Sequence, residues 1–259
     1  MAFPDPLPFV LVVARLCGLV LVSPIFGDGL VPARVRAGLV GVLALALAPV
    51  VPGPSLAAEP SGWTLAGLVA AEGAVGVLLG FVAQLVLAGV QLGGQVAGLQ
   101  VGFGIANLLD PTTQAGATVV ARWQQLAALL AFLVLDVHHV VLRAVLESFR
   151  VAPIGHVVLS GDVLVGVAAR GAGLFGVGVR IAAPVFVVLL LVNGGLALLA
   201  RTIPQLNVFA VGFPVNVGVG LVVVGASLPF TVRFLAGELD AMGGVLAALV
   251  ETLGALAHG

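Results

Sequence analysis

Between Glu72 and Asp110 this chain has no charged residue and no histidine. A helix needs about 20 apolar residues to cross a hydrocarbon core, so a run of this length sets the terms for everything around it. Similar runs recur, and the 259 residues are 61% hydrophobic and 8% charged, with a mean hydropathy of +1.27. Soluble domains carry about 25% charged residues, so this chain cannot cover itself with a hydrated surface. The composition predicts a multi-pass membrane protein, or one buried in an apolar assembly, and the runs predict an all-α architecture. A net charge of −1 offers no basic field for nucleic acid. The lone Cys17 excludes an internal disulfide.

Apolar periodicity predicts helices over 7–26, 37–57, 64–100, 117–149, 164–201 and 206–228, about six main segments, with an amphipathic seventh at 231–257. Turn chemistry separates them at GDGLVP (27–32), PVVPGPS (49–55), the stretch after Val101, APIG (152–155) and RTIPQLN (201–207). RGAGLFGVGVR (170–180) is a further expected break. The N-terminal MAFPDPLPFV has no cationic region before the first run, so that run is expected to be retained as a helix. All ten cations are Arg. A six-span arrangement places Arg34, Arg36, Arg122 and Arg201 on one side. Arg150, Arg170, Arg180 and Arg233 fall on the other, with Arg143 near a helix end. That near tie gives no orientation and argues against a simple bundle of spanning helices. Arg15, inside the first run, demands a protein partner or a wet cavity.

Three stripes stand out on helical wheels. Gln84, Gln91 and Gln95 share one face of helix 64–100, where cross-helix bonding and the lining of a wet passage are both open. Gly76/Gly80, Gly89/Gly93 and Gly94/Gly98/Gly102 are spaced for close helix approach. On helix 117–149, Arg122, Gln125, Asp136, His139, Arg143, Glu147 and the following Arg150 fit one arc, which predicts a structural polar network. His138 points almost opposite on that wheel, so a metal site of Asp136, His138 and His139 is not expected. Leu235, Leu239, Met242, Leu246, Leu249, Leu253 and Leu256 form a seam for a neighbouring helix.

No catalytic motif accompanies these stripes. Gly171–Gly176 matches G-x-G-x-x-G, but it lies in a glycine-rich apolar helix and no acid follows about 20 residues on. No nucleophile elbow, phosphate loop or catalytic carboxylate pair occurs, so the expectation is a protein without enzymatic activity, cofactor or metal.

Three ordered passages carry a resemblance. VQLGGQVAGLQVGFGIANLLDPTTQAG (90–116) resembles the central motif of the FliR family, a Gly/Gln-rich helix ending in GF-x-x-A and then DP. FLVLDVHHVVLRAVLESFRVAPIG (132–155) is similar to the family's G-H-H-L-L-x-R-x-L…S-F…P segment, with Val137 where Gly is usual. LLARTIPQLNVFAVGFPVNVGVG (198–220) looks like its R-x-x-P-Q-x-N-x-F-x-x-G-F-P signature. The position of Arg15 and the stretch 23–39 agree, and the likeness covers essentially the whole chain. It implies a subunit of the flagellar type III export gate in the bacterial inner membrane and the basal body. A homologue from virulence-type secretion is the alternative.

The resemblance further implies assembly with FliP and FliQ type subunits in a helical cone, beside FlhB and FlhA type export proteins, with membrane lipid outside and unfolded proteins in transit. Residues 1–160 would be FliP-like and 161–259 a FliQ-like hairpin. It also implies a pore plug over 103–118, including Phe103, Gly104, Ile105, Asn107, Leu108, Leu109, Asp110 and Pro111. The residues suit that role: Gly102 and Gly104 permit unusual backbone, Pro111 disfavours helix at Asp110, and the large apolar side chains supply bulk. An ordinary interhelix loop remains open. Arg201, Pro204, Gln205, Asn207, Phe209, Gly212, Phe213 and Pro214 are expected to make a stiff corner used in subunit packing. A small-solute transporter with its site at the 102–118 break is the rival class, although no matching pair of halves is visible.

Overall fold

The structure, a computed structural model, describes residues 6–24, 26–27, 31–51, 61–103, 117–156, 161–203 and 207–258. Among these residues all regular structure is helical: α1 (Pro6–Val22), α2 (Ala33–Leu47), α3 (Gly62–Val101), α4 (Val119–Val134), α5 (Val137–Val151), α6 (Gly161–Thr202) and α7 (Val208–His258). Three helices are long and apolar enough to cross a membrane, over Gly62–Val101, Val165–Thr202 and Ala210–Ala255, and α4 with α5 counts as a fourth if the pair forms one bent span. The chain is an all-α, multi-pass membrane protein.

The expected helix over 117–149 is two helices. The chain bends by 65° between α4 and α5, and Asp136 takes a φ of 56° at the joint. Asp is among the few L-residues that enter this left-handed region readily. The seven-residue polar arc assumed a straight helix, so it does not exist as one face. The opposite error occurs downstream. The glycine-rich stretch 170–180 lies inside the unbroken α6, and the expected helices 206–228 and 231–257 are the single α7, with Pro214 and Pro229 inside it. A mid-helix Gly costs roughly 1 kcal/mol and a Pro roughly 3. Abandoning several backbone bonds in an apolar setting costs more. Near Pro229, Ser227 Oγ donates to the Val224 carbonyl at 2.9 Å and Thr231 Oγ1 to the Ser227 carbonyl at 3.2 Å.

Two compact units interleave along the chain. The first comprises residues 1–85, 132–171 and 238–259. Its core gathers Leu11, Leu16, Leu79, Phe149, Ile154 and the α7 seam residues Leu239, Met242, Leu246, Leu249 and Leu253, all at most 2–3% exposed. The seam is thus spent within the chain. Its small positions meet α5, Gly243 against Val140 and Gly254 against Val151; the side chain of Leu256 lies outside the described residues. α1 crosses α3 almost backbone to backbone: a Cβ on Gly76 would collide with the Arg15 carbonyl, and one on Gly18 with the Gly73 carbonyl.

The second unit comprises residues 86–131 and 172–237. Ala97, Val101, Val120, Val185, Leu189 and Val224 form its buried cluster. Gly89 and Gly93 face Val177 to Ile181 of α6, while Gly94 and Gly98 face Ala121 and Thr118 at the start of α4.

Candidate functional site

Interest centres on the segment that leaves α3 and re-enters at α4. Residues 104–116, with Gly104, Ile105, Asn107, Leu108, Leu109, Asp110 and Pro111, lie outside the described residues; the two ends of the segment do not. α3 stops in a Schellman motif. The Phe103 amide donates to the Gly98 carbonyl at 3.1 Å, the Gly102 amide to Leu99 at 3.1 Å, and Gly102 takes a φ of +107°. Only glycine adopts that backbone without strain. Phe103 packs against the second unit's buried cluster, so it is the anchored end of the segment.

The return is fastened to the same stretch of α3. Gln95 Oε1 accepts the Thr118 amide at 2.8 Å, and Thr118 Oγ1 donates to the Gly94 carbonyl at 3.4 Å. The same hydroxyl accepts the Ala121 amide at 3.2 Å, which makes Thr118 the N-cap of α4. Exit and return therefore share the last turns of α3. Phe213 of α7 leans on the exit, its ring 3.2 Å from where a Gly102 Cβ would be. The end of α3 thus joins residues from two of the passages singled out in the sequence.

The glutamine row divides. Gln95 has the capping task just described. Gln84 falls in the first unit and Gln91 in the second, and Gln84 Oε1 is buried without a hydrogen-bond partner among the described residues. Gln124, 4% exposed, lies against Gly94 with its Oε1 likewise unpartnered. Nothing singled it out in the sequence, because one buried amide on an apolar helix has no local signature.

The polar stripe is dispersed by the bend. Arg122 donates to Gln125 Oε1 at 3.3 Å in one unit. In the other, Arg150 pairs with Glu147 at 3.4 Å, and His139 Nδ1 lies 3.3 Å from Asp136 Oδ1. Arg143 and Glu147 share a cleft with Gly243, Val250 and Glu251 of α7, of about 600 Å³. The expected divergence of His138 and His139 is also wrong: their ring centroids are 4.1 Å apart. They are consecutive residues in the first turn of α5, and both side chains turn toward Asp136 although a wheel sets them about 100° apart.

At the corner, Arg201 is exposed in the last turn of α6, and Pro204 and Gln205 lie outside the described residues, as does the side chain of Phe209. Asn207 Oδ1 accepts the Ala210 amide at 3.2 Å, so it caps α7. Gly212 is buried, while Phe213 and Pro214 are exposed on their outer sides.

The strongest polar constellation is one that the sequence reading saw by half. Arg15 is 0% exposed and Glu72 1%. Arg15 Nε and Nη2 reach Glu72 Oε2 at 2.7 and 2.6 Å. Nη1 donates to Ser148 Oγ at 3.0 Å and Nη2 to the Ala152 carbonyl at 3.1 Å. The Gly155 amide donates to Glu72 Oε1 at 2.9 Å, and the Phe149 ring stacks 4.3 Å from the guanidinium. One buried ion pair, with two guanidinium nitrogens on a single carboxylate oxygen, thereby ties α1, α3, α5 and the turn after α5. Glu72 is the only charged residue in α3, which was the available signal for its role.

Residues 7–242 match the family described as bacterial export proteins, family 1. This chain belongs to the FliR family. It is 30% identical over 239 residues to the flagellar biosynthetic protein FliR of Escherichia coli (strain K12), covering 92% of this chain and 91% of that protein. FliR of Pectobacterium carotovorum subsp. carotovorum is 33% identical over 88% of this chain and 85% of its own length. FliR of Bacillus subtilis (strain 168) is 33% identical over 83% and 84%. The family match spans the Arg15–Glu72 pair, both ends of the segment after Val101 and the corner.

Proposed function

We propose that this chain is a non-enzymatic channel subunit of the flagellar type III protein export apparatus. In this reading it sits in the bacterial inner membrane and builds the export gate with FliP and FliQ type subunits, near FlhB and FlhA type proteins. The observation that carries the reading is the likeness, over most of the chain, to proteins named flagellar biosynthetic protein FliR. The flagellar name of these relatives favours that branch over virulence-type secretion.

Two structural features support the assembly part. The span windows of α6 and α7 are only 33% and 22% buried within the chain, against 56% for α3. Their uncovered sides carry polar groups: Asn216 Nδ2 donates to Asn193 Oδ1 at 2.9 Å on an exposed surface. Amides are unfavourable against lipid tails and suit a neighbouring helix or water. The positions of Gly171, Gly173, Gly194 and Gly195 open onto free space, which leaves room for another backbone.

Residues 103–118 are the proposed plug. Both ends of this stretch, Phe103 and Thr118, are fastened to α3 or the cluster around it, and its sequence carries apolar bulk. Gln84, Gln91 and the exposed part of the Gln95 face remain the proposed wet side. The assignment of residues 1–160 and 161–259 as FliP-like and FliQ-like parts belongs to the same proposal.

Co-expression tests the reading. The chain should co-purify with FliP and FliQ type subunits as one species on size exclusion and should aggregate when made alone. A monodisperse chain that retains neither partner would overturn it.

A further inference from the structure

We propose that Asp136, His138 and His139 bind a single divalent transition-metal cation, with Zn²⁺ as the physiological fit. The proposal stands independently of the export reading. Asp136 closes the bend between α4 and α5 with its backbone in the left-handed region, and the His139 amide donates to its carbonyl at 2.9 Å. That geometry carries the Asp136 carboxylate to both imidazoles of the first turn of α5. Asp136 Oδ1 lies 3.3 Å from His139 Nδ1 and 3.9 Å from His138 Nε2. One ligand atom from each residue lies within 4.8 Å of the other two.

Nitrogen and oxygen ligands bind Zn²⁺ at about 2.0–2.2 Å, so donors sharing a tetrahedral ion sit roughly 3–3.5 Å apart. The Asp136–His139 spacing already fits, and a modest side-chain rotation brings His138 in. His139 Nδ1 would exchange its contact with Asp136 Oδ1 for the shared ion, and the His138 atom facing Asp136 is Nε2. Two imidazoles and a carboxylate suit Zn²⁺ and its first-row neighbours better than Ca²⁺ or Mg²⁺, which prefer all-oxygen sites. Asp136 and His139 are largely exposed, at 72% and 60%, so one or more positions on the ion stay open to water or to a ligand from a neighbouring chain. All its protein ligands lie at the start of α5, so a bound ion would hold that first turn.

The simpler arrangement is a carboxylate that merely receives the ring N–H of His139 at the start of a helix. Titration with Co²⁺ separates the two. The chain, in its detergent-solubilised complex with any affinity tag removed and treated with EDTA, is followed by visible absorption, and then Zn²⁺ is added in competition. One equivalent of Co²⁺ should bind and be displaced by Zn²⁺. Asp136→Asn and His139→Ala should each weaken binding on the order of 10-fold or more, with helical circular dichroism unchanged. Zn²⁺ should also protect His138 and His139 of the unaltered chain from diethyl pyrocarbonate, a readout that needs no variant to fold. Absence of stoichiometric binding, or equal binding by the Asp136→Asn/His139→Ala double variant, overturns the site. Unchanged diethyl pyrocarbonate reactivity does the same.

Discussion

Arg15 is a long cation with no access to solvent, and it survives there because each of its three guanidinium nitrogens meets an acceptor. Burying one charge without a partner is far more costly than burying a matched pair. Arg15→Ala or Glu72→Ala should therefore lower stability by about 3–5 kcal/mol, read as a drop in melting temperature of the detergent-solubilised complex. Arg15→Met combined with Glu72→Leu should recover much of the loss, since two apolar side chains leave no orphan charge. Single variants that melt like the parent would show that the pair contributes little. The need for a partner at Arg15 was legible in the sequence. Its identity was not, because Glu72 is 57 residues away and pairing over that distance leaves no local pattern.

At the scale of elements, glycine spacing was the most readable feature. The four-residue steps along α3 do mark where other helices come close. Gly76→Leu would drive a side chain into the α1 backbone at Arg15 and should cost about 1–3 kcal/mol or more. Gly171→Ala, whose Cβ meets open space, should be neutral or stabilising by up to about 1 kcal/mol. Thermal unfolding of the two variants side by side checks the contrast, and equal effects would refute the crossing. Helix continuity was read less well. Periodicity registers apolar order but not the one dihedral at Asp136 that ends α4, nor the cooperative backbone bonding that carries α7 through two prolines. The polar stripe failed for the same reason: a wheel assumes the straight axis that it is meant to test.

For the whole molecule, the uncovered sides of α6 and α7 leave the room for neighbouring subunits that the proposed assembly requires. Deleting residues 106–115 should leave that assembly intact, because Phe103 and Thr118 hold both ends of the segment to α3. Membranes containing the deletion complex should then leak small solutes, measured as efflux from loaded vesicles. An assembled deletion complex that stays tight would remove the plug from the proposal.

The sequence by itself determined the solvent, the helical class and the family, since these follow from composition, run length and ordered motifs that one-dimensional order contains. Tertiary structure alone decided which helices join or break, where the charge of Arg15 is neutralised, and that Asp136, His138 and His139 meet. Each of those depends on a backbone angle or on a partner far along the chain, and a run of residues does not encode either one locally. The segment after Val101 shows both sides. Its soft composition marks it as special, while the fastening of its ends to one stretch of α3 is a fact of packing.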